Sequence, residues 1–188
     1  MPLPLGHTAL GLASYEVVAG ENTGTGRLKL FLWIVVLANL PDLDMVVGLL
    51  ISGNGSQFHR GPTHSLIFAL VMGFLASRTW RLNPIIPKIS FLTGFTIIFS
   101  HVMGDLFFTD SPVSIFWPLV PPNWSGSYSG WQDVIHSVLF KGLCDFGVII
   151  GSVLFISLIR MIRNSEFGQG SRLSSWTALF SRLGLGTK

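Results

Sequence analysis

The sequence has 188 residues, of which 11% are charged and 49% hydrophobic, and its formal net charge is +3. A soluble domain usually carries about 25% charged residues, so this composition excludes an ordinary water-facing globule. The basic residues occur in short scattered groups, which argues against nucleic-acid binding and favours charges that flank membrane spans. The single cysteine, Cys144, excludes an internal disulfide and a cysteine-rich zinc site.

Apolar stretches predict an all-α, polytopic membrane helix bundle with four to five spanning helices, because a span needs about 20 mainly apolar residues. In chain order the candidates are residues 2–19, 28–39 together with 45–51, 64–80, 89–108 and 143–163. The last is the clearest and is closed by Arg160 and Arg163. The first is the weakest, because it contains His7 and Glu16, and whether it crosses the membrane is left open.

The basic residues predict an orientation. If the helices that begin near residues 28, 64, 89 and 143 all cross, every Lys and Arg except Arg60 and Lys141 lies on one side, which should be cytoplasmic. We therefore expect a multi-pass protein of the inner (cytoplasmic) membrane. Residues 1–163 form its membrane domain, and residues 164–188 form a cytoplasmic tail, either an interfacial amphipathic helix or a loose segment.

Histidine and aspartate residues gather on the side opposite the basic residues. Ionisable groups in a span cost about 2.5–3.5 kcal/mol each on insertion scales and are usually functional or paired. Three sets converge there: Asp42 with Asp44, His59 with His64, and His101 with Asp105. Each set alone fits a packing hydrogen bond or a solvated turn, but their conjunction predicts a metal site at one bilayer face. Mixed imidazole and carboxylate ligands suit zinc, manganese or iron.

Two further histidines are less certain candidates. His7 joins the cluster only if residues 2–19 cross the membrane, and His136 with Asp133 is most simply an interfacial pair.

Four ordered motifs resemble those of the YdjM-like inner-membrane proteins, commonly called membrane-bound metal-dependent hydrolases. They are Gly6-His7-Thr8, Leu40-Pro41-Asp42-Leu43-Asp44, His59-Arg60-Gly61-Pro62-Thr63-His64-Ser65 and His101-Val102-Met103-Gly104-Asp105. That family is distantly similar to the zinc-dependent phospholipase C and nuclease superfamily. The resemblance implies His7, Asp42, Asp44, His59, His64, His101 and Asp105 as metal ligands. A later His-X-X-X-Glu ligand pair of the superfamily has no match here, so one or two metals are expected rather than three.

The expected activity is metal-dependent hydrolysis of a phospholipid or lipid-linked phosphoester at the extracytoplasmic headgroup level. Asp44 or Asp105 would act as general base, and Arg60 could hold a phosphate or stabilise its turn. The expected partners are membrane lipids and no nucleic acid. A structural metal site and a metal or ion transporter are the alternatives. A transport pathway would need polar residues along the spans, whereas residues 66–76 and 148–158 are almost purely apolar.

Overall fold

The fold is described here from a computed structural model, which covers residues 3–19, 26–109, 112–120, 132 and 145–182, with side chains described up to residue 165. All regular structure in these residues is helical, as predicted. The α-helices are α1 (Pro4–Ala19), α2 (Arg27–Ala38), α3 (Leu43–Ser52), α4 (Leu66–Ala76), α5 (Phe91–Phe108) and α6 (Phe146–Arg182). Short 3-10 turns at Pro62–His64 and Thr79–Arg81 flank α4.

Helices α1, α2, α4 and α5 enclose the core, with α5 packed against the other three. Ile34, Ala69, Ile97 and Ile98 are almost completely buried between these helices. Serine side chains begin two of the helices, since the Ser65 hydroxyl accepts from the Phe68 amide and Ser90 accepts from the Thr93 amide. Many large apolar side chains are exposed on the outside of the bundle, as expected for a protein surrounded by lipid acyl chains.

Only part of the predicted set of spans has the necessary length. Helix α5 and residues Phe146–Ser165 of α6 are each long and apolar enough to cross a membrane. Helices α2 and α3 would supply a third span if taken together, but the chain bends by 55° between them. Four to five spans are therefore not confirmed. Helix α4 has 11 residues, or about 16 Å against a hydrocarbon core of about 30 Å.

Helix α3 and the loop after it form a hairpin rather than a continuation of α2. Asp44 lies in the first turn of α3, and its carboxylate contacts both the His59 ring and the Arg60 amide beyond the loop. The loop packs closely on α3, because a Cβ placed on Gly48 would lie 2.6 Å from the Asn54 carbonyl oxygen. The chain therefore runs away from Asp44 along α3, and the following loop brings it back to the level of Asp44.

Both ends of α1 are attached to α6 or to the residue before it. At one end the buried Asp145 carboxylate accepts hydrogen bonds from the Leu3 and Gly6 amides at the start of α1. At the other end Glu16 of α1 accepts from the guanidinium groups of Arg160 and Arg163. These contacts fix the register of the two helices.

Helix α6 continues to Arg182 and passes the predicted domain boundary at residue 163 without interruption. The amphipathic character of the tail rests on side chains that are outside the described set and stays a prediction. Most of residues 109–140, a segment rich in Trp and Pro, also lie outside the described residues.

The contact between α4 and α5 gives a prediction about stability. A Cβ on Gly73 would lie 2.7 Å from the Phe95 backbone, whereas a Cβ on Gly147 of α6 would meet no atom within 4 Å. We expect Gly73→Ala to destabilise the protein by about 1–3 kcal/mol through overpacking and Gly147→Ala to be neutral or slightly stabilising. Thermal unfolding in detergent compares the two. Equal melting temperatures for both variants would contradict the packing described.

Candidate metal centre

All seven predicted ligand residues lie in one cluster at a single end of the bundle. His7 lies in α1, and His101 and Asp105 lie in α5. Asp42 lies in the break between α2 and α3, and Asp44 lies in the first turn of α3. His59 and His64 lie in the segment between α3 and α4. The four imidazoles and the Asp105 side chain are at most 1% exposed. Asp42 is the most accessible member, with 17% of its side chain exposed.

Three donor atoms at the centre of the cluster form a nearly equilateral triangle. The Nε2 atoms of His64 and His101 are 3.2 Å apart. Asp42 Oδ1 lies 3.3 Å from the His101 atom and 3.6 Å from the His64 atom. Ligands at 2.0–2.1 Å from a tetrahedral zinc ion are about 3.3–3.4 Å apart. The triangle therefore has the dimensions of one face of a tetrahedral zinc site.

The hydrogen bonds of the two histidines leave both Nε2 atoms as lone-pair donors. His101 Nδ1 lies 2.7 Å from the Ala38 carbonyl oxygen, which can only accept, so this nitrogen carries the hydrogen. His64 Nδ1 lies 3.2 Å from Asp44 Oδ2 and donates to it in the same way. In the neutral rings the two Nε2 lone pairs thus face each other and the Asp42 carboxylate. A cation between them would turn this repulsion into attraction.

The Asp44 carboxylate contacts the candidate ligands on the side away from the donor triangle. Its Oδ1 atom lies 3.0 Å from His59 Nδ1, and its Oδ2 atom accepts from the Arg60 amide and the Thr63 hydroxyl. Metal-bound histidines commonly donate their second N–H to such a carboxylate. Asp44 is therefore placed to orient the His64 ring. It also belongs to a group of three candidate ligands with His59 and His64.

A second group adjoins the central triangle. His7, His101 and Asp105 can bring one ligand atom each within 4.8 Å of one another. The rings of His7 and His101 stack with their centroids 3.6 Å apart, and His7 Nε2 lies 3.5 Å from Asp105 Oδ1. Arg60 Nε donates to the other oxygen of Asp105 at 3.2 Å. His64 and His101 each belong to two groups, so the cluster has donors for more than one ion.

The unpaired polar atoms and the charge of the cluster are both compatible with a bound cation. Among the described residues, the buried polar atoms without a hydrogen-bond partner include both His7 nitrogens, Asp42 Oδ1, His59 Nε2 and Asp105 Oδ1. Buried polar groups without partners are rare, and each calls for an explanation. With neutral imidazoles, three carboxylates and the Arg60 guanidinium leave two negative charges. A divalent cation would neutralise them.

The sequence around residue 60 gives the turn its shape. Arg60 has a φ of 63°, a left-handed conformation that costs energy for a residue with a side chain. Gly61 follows it, and Pro62 begins the 3-10 turn that ends at His64. Residues 112–120 support the turn from outside, because the Ser114 amide donates to the Arg60 carbonyl. These contacts hold His59 and His64 on either side of Asp44.

Comparison with known proteins assigns the family. A family model described as YdjM inner membrane protein matches residues 1–179. The chain belongs to the YdjM inner membrane protein family. It is also 30% identical to the inner membrane protein YbcI of Escherichia coli (strain K12) over 173 residues, which cover 86% of this chain and 94% of that protein. No solved structure matches the chain significantly.

These comparisons confirm the predicted family, and they support the prediction that the protein lies in the inner membrane. They do not support the phospholipase C-like, hydrolase or zinc assignments, which stay predictions. The structure brings together every ligand residue that the YdjM resemblance implied, His7 and His59 included. His136, Asp133 and Asp110 lie outside the described residues. Arg60 is buried and paired with Asp105, and its predicted contact with a phosphate stays untested.

Sequence reasoning missed Asp145. Its carboxylate caps the start of α1, since the Leu3 and Gly6 amides donate to it, and Gly6 directly precedes His7. A carboxylate directly before an apolar span is itself a signal, because intramembrane acids are usually paired. Its partners are backbone amides more than 130 residues away, and no sequence pattern identifies such partners.

The different positions of the two neighbouring aspartates give a prediction. Asp42→Asn removes a charged donor from the triangle, and we expect it to abolish stoichiometric zinc binding. Asp44→Asn keeps the triangle but weakens the orientation of His64, and we expect about 10–100-fold weaker zinc binding. Competition with a zinc chelator measures both. Zinc affinity unchanged in Asp42→Asn, or lost more severely in Asp44→Asn, would contradict these roles.

Proposed function

We propose that this YdjM-family protein holds one or two divalent cations, zinc being the first choice, and hydrolyses a phosphoester of a lipid or lipid-linked substrate. The observation that carries the proposal is the donor triangle of Asp42, His64 and His101, with its tetrahedral-face dimensions. Three protein ligands that leave a fourth position for water are typical of catalytic rather than structural zinc sites.

Each residue near the triangle would have a distinct role. A bound zinc ion would supply a water of lowered pKa and polarise a phosphoryl oxygen. Asp42, His64 and His101 would hold the ion, and Asp44 would orient His64. Asp105 is the better proton acceptor of the two predicted bases, because Asp105 Oδ1 has no hydrogen-bond partner among the described residues, whereas both Asp44 oxygens are engaged.

Arg60 would act on the reaction through Asp105. Its Nε atom donates to Asp105 Oδ2. Arg60 would thus hold the Asp105 carboxylate in position, with Oδ1 directed away from the guanidinium. A direct contact between Arg60 and a substrate phosphate is the other possibility that the sequence raised.

The distribution of charge supports a location for the site. Arg160 and Arg163 lie with Glu16 at the end of α1 opposite His7, and the positive-inside rule makes that end cytoplasmic. The cluster would then face the non-cytoplasmic side. His101 is seven residues from the end of α5, which places the triangle about 10 Å inside that helix end. The triangle then lies within the leaflet on the non-cytoplasmic side, whose half of the hydrocarbon core is about 15 Å thick.

A structural metal site is the second candidate, and one observation favours it. The imidazoles are almost completely buried, which suits a closed site that pins α1, α4 and α5 together. Activity assays separate the two candidates, because both require the metal but only one turns over substrate.

The experiment measures metal content and hydrolysis on the detergent-purified protein. Wild type, Asp42→Asn, His64→Ala and His101→Ala are compared with Glu16→Gln, a buried carboxylate at the opposite end of the bundle. We expect about one or two zinc ions per chain and chelator-sensitive hydrolysis of phospholipids or aryl phosphoesters in wild type. The three ligand variants should lose both by at least 100-fold, and Glu16→Gln should keep both.

Two results would overturn parts of the proposal separately. Metal content that stays unchanged in all three ligand variants would refute the metal site. Metal bound and lost as expected, but with no hydrolysis of any phosphoester by wild type, would favour the structural role over catalysis.

A further inference from the structure

An apolar groove runs between α1, α5 and α6, and the cavity that adjoins it includes Gly104, the residue before Asp105. The volume of the groove is about 500 Å³, and the adjoining cavity of about 320 Å³ continues it along α5. Both spaces share Leu10, Ser14, Thr96 and Phe108 as lining residues. Gly147 and Gly151 give α6 a flat surface over the groove, since a Cβ on either would meet no atom within 4 Å.

The dimensions of the groove suit a single hydrocarbon chain. It extends along α5 from Thr96 to Phe108, which corresponds to about 18 Å. One leaflet of a bilayer contributes about half of the 30 Å hydrocarbon core, or about 15 Å. The groove therefore has the length and the volume for one acyl chain.

Gly104 is the point at which the adjoining cavity lies next to the cluster. It lines that cavity and directly precedes Asp105. A Cβ on Gly104 would lie 2.6 Å from Leu10 Cδ1 and 3.5 Å from His7 Nδ1. His7 is fully buried, and its Nδ1 has no hydrogen-bond partner among the described residues. His7 therefore lies directly behind Gly104 and Leu10, next to the adjoining cavity but not among its lining residues.

We propose that this groove binds one acyl chain of a membrane phospholipid, with the headgroup at the end of the bundle in which the cluster lies. The chain would run from the Phe108 and Gly147 end toward Val17 and Phe155, which also line the groove. The position of the headgroup rests on the proposed function, whereas the binding of the chain does not. The inference specifies the substrate as a diacyl phospholipid taken from the leaflet in which the cluster lies.

The test uses phosphatidylglycerol with a photoactivatable diazirine in one acyl chain, added to the full-length protein in nanodiscs. Gly151→Phe fills the groove, and Gly147→Phe is a second variant at its upper end. Leu154→Phe is the matched control, because Leu154 lies on the same helix, is 64% exposed and is not part of the groove lining. Zinc content and melting temperature verify that each variant is folded.

We expect photolabelled peptides from residues 10–18 and 147–155 in wild type and Leu154→Phe. Labelling there should fall at least fivefold in both glycine variants while their zinc content stays at the wild-type level. Labelling that is uniform over outward-facing residues, or unchanged in both glycine variants, would overturn the inference. Crosslinks between two copies at these residues would also overturn it, by showing a protein occupant.

Hydrolysis assays distinguish failure of this inference from failure of the proposed function. If both hold, Gly151→Phe loses phospholipid hydrolysis by at least tenfold and keeps hydrolysis of a water-soluble aryl phosphoester. Specific labelling without any hydrolysis by wild type would leave the groove standing and refute catalysis. Phospholipid hydrolysis that is unaffected by Gly151→Phe, together with unspecific labelling, would refute the groove and leave catalysis standing.

Discussion

The structure depends on an electrostatic conflict at its buried end. Two imidazole lone pairs and one carboxylate oxygen, from His64, His101 and Asp42, approach one another at 3.2–3.6 Å. Their other hydrogen-bonding atoms are engaged elsewhere, so the rings cannot simply turn away. A positive charge between them, either a bound cation or a proton on one of the two Nε2 atoms, makes the arrangement favourable. Burying such groups in an apolar medium is costly, and this cost is the reason why we propose a bound cation.

Several helices begin, end or are anchored at the level of this cluster. Helix α2 ends where the Ala38 carbonyl accepts from His101, and α4 begins just after His64, so two short helices stop at the level of the cluster. The α3 hairpin then brings Asp44 back against His59 and Arg60. Asp145 holds the start of α1 and with it His7. Broken helices with irregular backbone at membrane depth are tolerated where they are buried in protein or line a cavity.

Much of the site was predictable from the sequence, whereas the detailed fold was not. Ionisable residues in apolar surroundings, such as His101 and Asp105, carry their own signal because their burial is costly. The predicted number of spans is not confirmed, because hydropathy counts apolar residues and does not register the break at Pro41 between α2 and α3 or the short length of α4. The contacts of Asp145 and the pairing of Glu16 with Arg160 join residues more than 130 positions apart. Such contacts depend on how the helices pack, which no local pattern specifies.

X-ray absorption spectroscopy of the zinc-loaded protein at the zinc edge tests the central claim most directly. The donor triangle predicts scattering from at least two imidazole rings and a carboxylate oxygen, with nitrogen and oxygen ligands at about 2.0–2.1 Å. The imidazole contribution should fall in His64→Ala and in His101→Ala. Zinc that shows no imidazole scattering, or an imidazole contribution that is the same in wild type and both variants, would contradict the account.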